Sequence, residues 1–301
     1  WLNGGVFCIM KDEMKEDFVD LHSHSTASDG TLTPTELVRL ASKNGLRALA
    51  LTDHDGVDGL DEAIAEGERL GVEVIPGVEL SAEHANGTMH VLGFFLDRKK
   101  TVLREKLRKL QKGRAERNPL IVKKLQDLGI DITFEEVKAA SGGGLIGRPH
   151  FAKVLLAKKV VSTMQEAFEK YLKKGAPAYA EKFRFTPEDT IRLIHEGGGV
   201  AVLAHPFTVY KKPENGLDEE IRRLAAAGLD GIEVYYSTYS PDQSRKYRNL
   251  AEKNSLRSSG GSDFHGAHKP GIDLGVGHGK LRVPYDLVEA LRERSLQYQA
   301  V

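Results

Sequence analysis

From residue 17 onward the chain alternates short, almost continuously apolar runs with longer stretches of helical periodicity. No other feature constrains the fold so tightly. The runs lie at 17–22, 47–52, 72–78, 89–95, 200–204, 230–235 and 256–261. Strands that are apolar on both faces belong in a parallel sheet covered by helices. The intervening helices have legible ends. Thr33 and Glu36 make a capping box with Pro34 at the first helical position, and Gly45 closes that helix. Thr186, Pro187 and Asp189 start another, which stops at Gly197–Gly199; Pro241 opens a further helix and Pro284 the last. Repeated strand–helix units with right-handed crossovers predict an α/β, TIM-like barrel, closed or nearly so.

Residues 98–184 break the rhythm. They carry a long basic helix (98–128), a turn at Gly129, a short helix near 134–140, a Gly142–Gly144 linker, and helices near 149–159 and 163–173. The expected organisation is a leader at 1–16, a barrel from 17–97 and 185–301, and a helical insertion at 98–184 carried on a barrel loop. Charge divides along the same line. The whole chain balances 43 Lys and Arg against 43 Asp and Glu, yet 98–184 alone holds 22 against 9, a net of +13, which leaves −13 elsewhere. Zero net charge therefore conceals a basic insertion on an acidic barrel, suited to an anionic partner. A single cysteine, Cys8, excludes a disulfide framework and thiolate metal sites. No apolar run reaches the roughly 20 residues of a membrane span, and 1–16 does not read as a signal peptide, so the cytoplasm is the expected compartment. Nothing in the sequence calls for an obligate protein partner.

The chemistry-bearing residues fall at or just past the predicted strand ends. His22 and His24 point to one side of an extended chain, and Asp29 follows in a polar turn. Further along come His54 between Asp53 and Asp55, Glu79, His90, His205, and the pair Asp263 and His265. Each has an ordinary structural explanation when taken alone. Together they put nine imidazoles and carboxylates at one barrel rim, where such groups need neutralising, and divalent cations do that. The donor set lacks thiolate and suits Zn, Mn, Fe or similar ions, more than one of them.

The segments DLHSHSTASDG, LALTDHDG, GVELS, HVLGF (from His90), AHP and GSDFH, in that order, resemble the signature motifs of the PHP (polymerase and histidinol phosphatase) family of metal-dependent phosphoesterases. The resemblance spans about 17–280 and implies the PHP fold, a distorted (β/α)7 barrel. It implies two or three divalent ions, with Mn favoured and Zn or Fe as alternatives. The first would be held by His22, His24, Glu79 and Asp263. Asp29, His54 and His265 would hold a second, and Glu79, His90 and His205 a third. Asp53 is expected to orient a ligand rather than bind. His84, His195 and His278 fit no motif; His268 is placed to line the pocket.

Such a site hydrolyses phosphate esters because paired cations lower the pKa of a shared water from about 15.7 toward about 7 and neutralise the phosphoryl oxygens. No protein nucleophile is needed, and no G-x-S-x-G elbow is present. Within the family, RAERN (114–118) and IGRPHFA (146–152) resemble enzymes that act on nucleoside 3′,5′-bisphosphates or the 5′ ends of short RNA. Arg148, at a predicted helix start, is the first choice for gripping phosphate, with His150, Arg117 and Asn118 as further substrate contacts. The alternatives are a histidinol-phosphate-type phosphatase and a non-catalytic module that binds nucleic acid beside a polymerase.

Overall fold

A computed structural model describes residues 17–85, 87–210 and 216–299. The leader at 1–16, with Cys8, lies outside them. Eight strands form one sheet: β1 (Phe18–Ser23), β2 (Ala48–Leu51), β3 (Glu73–Ala82), β4 (Met89–Phe94), β5 (Val200–Leu203), β6 (Gly231–Tyr236), β7 (Arg257–Gly261) and β8 (Val283–Pro284). The helices are α1 (Pro34–Lys43), α2 (Leu60–Leu70), α3 (Thr101–Asp127), α4 (Phe134–Ala140), α5 (Arg148–Ala157), α6 (Met164–Ala167, continued by a π turn), α7 (Pro187–Glu196), α8 (Leu217–Ala226), α9 (Pro241–Lys253) and α10 (Asp286–Gln299). Among the described residues no helix is long and apolar enough to cross a membrane.

The strand order is β7-β6-β5-β4-β3-β2-β1-β8. The sheet curls so that the chain just past β7 meets β1: the Asp263 amide donates to the His22 carbonyl at 2.8 Å, and the His24 amide to the Phe264 carbonyl at 2.9 Å. This nearly closed α/β barrel is the TIM-like fold expected. Gly261 permits the closure, because a Cβ there would lie 2.3 Å from the His22 nitrogen. Small and branched residues fill the barrel, among them Val19, Leu21, Ala48, Ala50, Ile75, Leu92, Val200 and Val202.

Three expectations need correcting. The sheet is mixed, because β4 runs antiparallel to both β3 and β5. Residues 83–88 are too few to house a crossover helix, which takes a dozen residues or more, so β3 turns straight back into β4. Pro284 does not open the last helix. It ends the two-residue strand β8, an antiparallel edge pairing with β1, and α10 starts at Asp286. The third run is longer than expected, so Glu79 lies inside β3.

Residues 98–184 hold no strand, and Ile121, Leu125, Ile132, Val137, Phe151, Leu155 and Leu172 gather there in an apolar cluster of their own. Helix α3 spans both bodies, since Leu103, Leu107 and Leu110 near its start pack instead into the barrel's outer core.

Candidate metal centre

The five strands β1 to β5, with the turns that follow them, and the turn after β7 bring the rim residues together. His22 lies near the end of β1 and His24 just past it, and both are fully buried. His90 reaches the same rim from the start of β4: reversing that strand brings its N-terminal end to the mouth. Glu79 is the hub. Its Oε2 lies 3.4 Å from His22 Nε2, 3.2 Å from His24 Nε2 and 3.1 Å from His54 Nδ1. Its Oε1 lies 2.7 Å from His90 Nδ1 and 2.9 Å from His205 Nε2. Asp263 Oδ1 stands 3.3 Å from both His24 Nε2 and His265 Nδ1, while Asp29 Oδ1 is 3.4 Å from His265 Nε2.

Ligand atoms converge in three sets: His22, His24, Glu79 and Asp263; His24, Asp29, His54 and His265; and His54, Glu79 and His90. The first matches the set implied by the sequence, and the second adds His24 to it. In the third, His54 stands where His205 was expected, although His205 touches the same carboxylate.

The donors themselves fit cations. His22 Nε2, both His24 nitrogens and His54 Nδ1 are buried without a hydrogen-bond partner of acceptable geometry. Buried polar atoms are almost always satisfied, and a lone pair facing a metal ion is one way to satisfy an imidazole nitrogen. The charges are strongly interdependent. Burial disfavours the Asp29 carboxylate, but His54 and His265 outweigh it and hold its carboxyl well below the usual range. Burial acts likewise on Glu79, where His90, His54 and His22 reverse it. Burial also works against the His24 imidazolium, yet Asp263 and Glu79 push it up to about 9, whereas at His54 burial wins and the value falls to about 3. Asp55, His205 and Asp263 hold φ at 51°, 25° and 56°, the left-handed region that costs a non-glycine residue about 1–3 kcal/mol. Such strain gathers where side-chain placement matters more than backbone comfort.

Supporting groups surround the cluster. Asp53 accepts from the Ser25 amide and from the Ser25 and Ser28 hydroxyls, which shapes the turn that carries Asp29. Glu233 sits 2.9 Å from His22 Nδ1 and accepts from the His205 amide. Tyr236 donates to Asp263 at 2.7 Å, and Lys269 pairs with the same oxygen. Glu233, Tyr236 and Lys269 were not singled out from the sequence, since no motif or spacing distinguishes them.

The rim opens into a cavity of about 920 Å³. Across it stand Arg114, Arg117, Arg148, Lys182 and Arg184 from the insertion. Arg148 caps a carbonyl, that of Leu172, at 3.1 Å. Arg117 is buried, and among the described residues its one hydrogen-bond partner is neutral, Asn118 Oδ1 at 2.6 and 3.1 Å. Burial and the neighbouring Arg114, Arg148 and Arg184 hold its pKa well below an ordinary arginine's. A guanidinium so placed calls for an anion. Asn118 and His150, expected to touch substrate, do not line the cavity. Asn118 holds Arg117 from behind and donates to the Ile146 carbonyl, while His150 Nδ1 accepts from the Gly147 amide at the start of α5. Arg114 and Lys182 were missed; Asp55, 59 and 127 residues away in sequence, pairs with both. His268 lines the cavity, with Nδ1 2.8 Å from the Asp29 carbonyl oxygen. His84 lies on the cavity wall, whereas His195 binds Asp230 far from it.

Imidazoles and carboxylates crowding the mouth of an apolar barrel, faced by a wall of cations, define the working surface of a metal-dependent phosphoesterase. The family model described as "PHP domain" matches residues 20–181, and the chain belongs to that family. It is 36% identical to a 3′,5′-nucleoside bisphosphate phosphatase of Chromobacterium violaceum, covering 85% of this chain and 90% of that protein. It is equally 36% identical to the 5′-3′ exoribonuclease Rnm of Escherichia coli, covering 88% and 91%. Among solved structures, an amidohydrolase from Chromobacterium violaceum with bound sulfate superimposes with a TM-score of 0.82 at 35% identity, over 92% of this chain and 96% of that one. A protein of Bifidobacterium adolescentis, assigned as a metal-dependent phosphoesterase, gives a TM-score of 0.81 at 30% identity and the same coverage.

Proposed function

We propose that this enzyme hydrolyses the terminal phosphate ester of small nucleotides, either nucleoside 5′-monophosphates and 3′,5′-bisphosphates or the 5′ ends of short RNA. The observation that carries this reading is the opposition, across one cavity, of the histidine–carboxylate rim and the cationic wall. Two or three divalent ions, Mn2+ foremost, are held by His22, His24, Asp29, His54, Glu79, His90, His205, Asp263 and His265. When bound they supply a water of lowered pKa and countercharge for the phosphoryl oxygens. The protein does the rest. Arg117 and Arg148 grip substrate phosphate, since a desolvated guanidinium offers paired donors to its oxygens. Tyr236 and Lys269 fix the Asp263 carboxylate, and Asp53 fixes the turn of Asp29. Residues 98–184 serve as a lid over the barrel of 17–97 and 185–301, and the cytoplasm remains the proposed compartment.

The test is phosphate release by the Mn2+-loaded protein from AMP, adenosine 3′,5′-bisphosphate, a short 5′-phosphorylated RNA and histidinol phosphate, with an EDTA control. Turnover of the nucleotides and silence in EDTA are expected. Glu79→Gln, which weakens the carboxylate shared by two of the three ligand sets, is expected to lower bound metal and to reduce kcat by about 100-fold or more. Release from histidinol phosphate alone overturns the substrate class, and full activity in EDTA overturns the metal assignment.

A further inference from the structure

Beside the cavity, between α3 and α7, lies a second groove of about 400 Å³. Phe183 and Arg184 line both spaces, so the two adjoin. Beyond them the groove is walled by Lys106 and Lys109 of α3, by Phe185, and by Arg192 of α7. Phe183 is 37% exposed, an unusual position for a large apolar ring, and meets Phe185 edge to face at 5.0 Å between centroids. Lys109 lies over the Phe183 ring at 4.3 Å, and both lysines approach Phe185 at 5.8 Å. Both lysines are exposed, and neither has an ion pair among the described residues. The acids present are Asp189, which pairs with Arg192, and Glu196. Gly113 makes the arrangement possible, because a Cβ there would stand 2.9 Å from the Phe183 Cβ. One stretch of α3 thus carries cations from Lys106 in the groove to Arg117 in the cavity, about 17 Å at ~1.5 Å per residue.

We propose that this groove is the path of a single-stranded nucleic acid whose 5′-terminal phosphate sits in the metal-centre cavity. The proposal rests on the nucleotide reading of that cavity. Alternating rings and cations are what a strand without sequence preference needs: every base has a face to stack and every linkage a charge to pair. Lysine suits the site better than arginine, because its flexible stem lets the ammonium leave the ring for a phosphate when a base arrives. A protein segment is the less apt occupant, since the groove sets four cations against two acids, one of them already paired with Arg192, and its apolar floor is small.

The experiment uses the full Mn2+-loaded chain with adenosine 3′,5′-bisphosphate and with 5′-phosphorylated oligoadenylates of increasing length, comparing the natural protein with a Lys106→Glu/Lys109→Glu double variant. These two side chains are exposed and lie outside the cavity, so folding is preserved. In the natural protein KM is expected to fall as the oligonucleotide lengthens. The double variant is expected to raise KM about tenfold for the longest substrate while leaving the bisphosphate unchanged. It also flattens the dependence of log KM on log salt by about 1.4, or about 0.7 for each single-strand phosphate left without its lysine. A KM independent of length, or an equal shift for bisphosphate and oligonucleotide, overturns the groove while the nucleotide reading stands. Failure to turn over any nucleotide, the bisphosphate included, overturns both.

Discussion

Asp55 stands next to His54, yet its carboxylate turns away from the rim to meet the insertion. Its Oδ2 takes the Arg114 guanidinium at 2.7 and 2.6 Å and pairs with the Lys182 ammonium, while Oδ1 accepts from the Ser81 amide. Burial opposes its charge, but Arg114 and Lys182 overcome that and hold its carboxyl well below the usual range. Burial and the nearby Arg114 in turn push Lys182 down to about 7. One carboxylate thus fixes two cations of the cavity wall to the barrel, at the expense of a left-handed backbone. Removing its charge leaves both cations buried without a counterion. Asp55→Asn is therefore expected to destabilise the fold by about 3–5 kcal/mol, the cost of breaking a buried pair, read as a lower urea midpoint at unchanged m-value. A loss below about 1 kcal/mol would falsify this tie. At this scale the sequence was informative where neighbours in the chain are neighbours in space, or where a residue falls at a predicted strand end. The His22–His24 alternation and the Asp263–His265 pair could be read directly, whereas the partners of Asp55 are fixed by the fold and leave no local pattern.

Among the elements, the helix starts at Thr33 and Thr186 follow from side-chain chemistry that acts within one turn, and both form. The direction of β4 has no such local signature in its residues; it is visible only in the shortness of 83–88, which forbids a crossover. Glu79 was legible as a residue but not as the interior of a ten-residue strand, because GVELSA reads equally well as a strand end. A second carboxylate ties elements together far from the rim. Asp230, just before β6, accepts from the Ala201 amide of β5, from Arg294 Nε and Tyr298 Oη of α10, and lies 2.8 Å from His195 Nε2 of α7. Burial raises its pKa, but His195, the Ala201 amide and Arg294 outweigh that and leave it below the ordinary value. A depressed carboxyl stabilises the fold above its unfolded pKa, near 3.9, and that contribution is lost as pH falls through the lower folded value. Asp230→Asn is expected to cost about 2–3 kcal/mol at neutral pH, with the gap to the natural protein closing below about pH 4. Equal urea midpoints for the two proteins at pH 7 would remove Asp230 from this role.

For the molecule as a whole, the relevant electrostatic quantity is polarity rather than net charge. Formal neutrality predicts no long-range pull on an anion, and at a distance that is correct. The Debye length at 0.1 M salt is about 10 Å, however, so an approaching substrate feels the nearest body before it feels the sum. The nearest body at the cavity is the 98–184 region, with its net +13, while much of the barrel's −12 lies behind it or is committed to the rim. A concave site walled by charge of one sign focuses the field and raises the encounter rate of oppositely charged ligands by about 10 to 1000-fold, an effect that salt erodes. The kcat/KM for adenosine 3′,5′-bisphosphate is therefore expected to drop by about tenfold between 50 and 500 mM salt at fixed Mn2+, and less steeply for AMP, which carries fewer charges. The decline should appear in kcat/KM with kcat nearly constant, because capture is screened while chemistry at the buried centre is not. A kcat/KM that is flat with salt for both substrates would mean that the opposed charges of the 98–184 region and the barrel cancel at the mouth, and that the cations of the wall act only after contact.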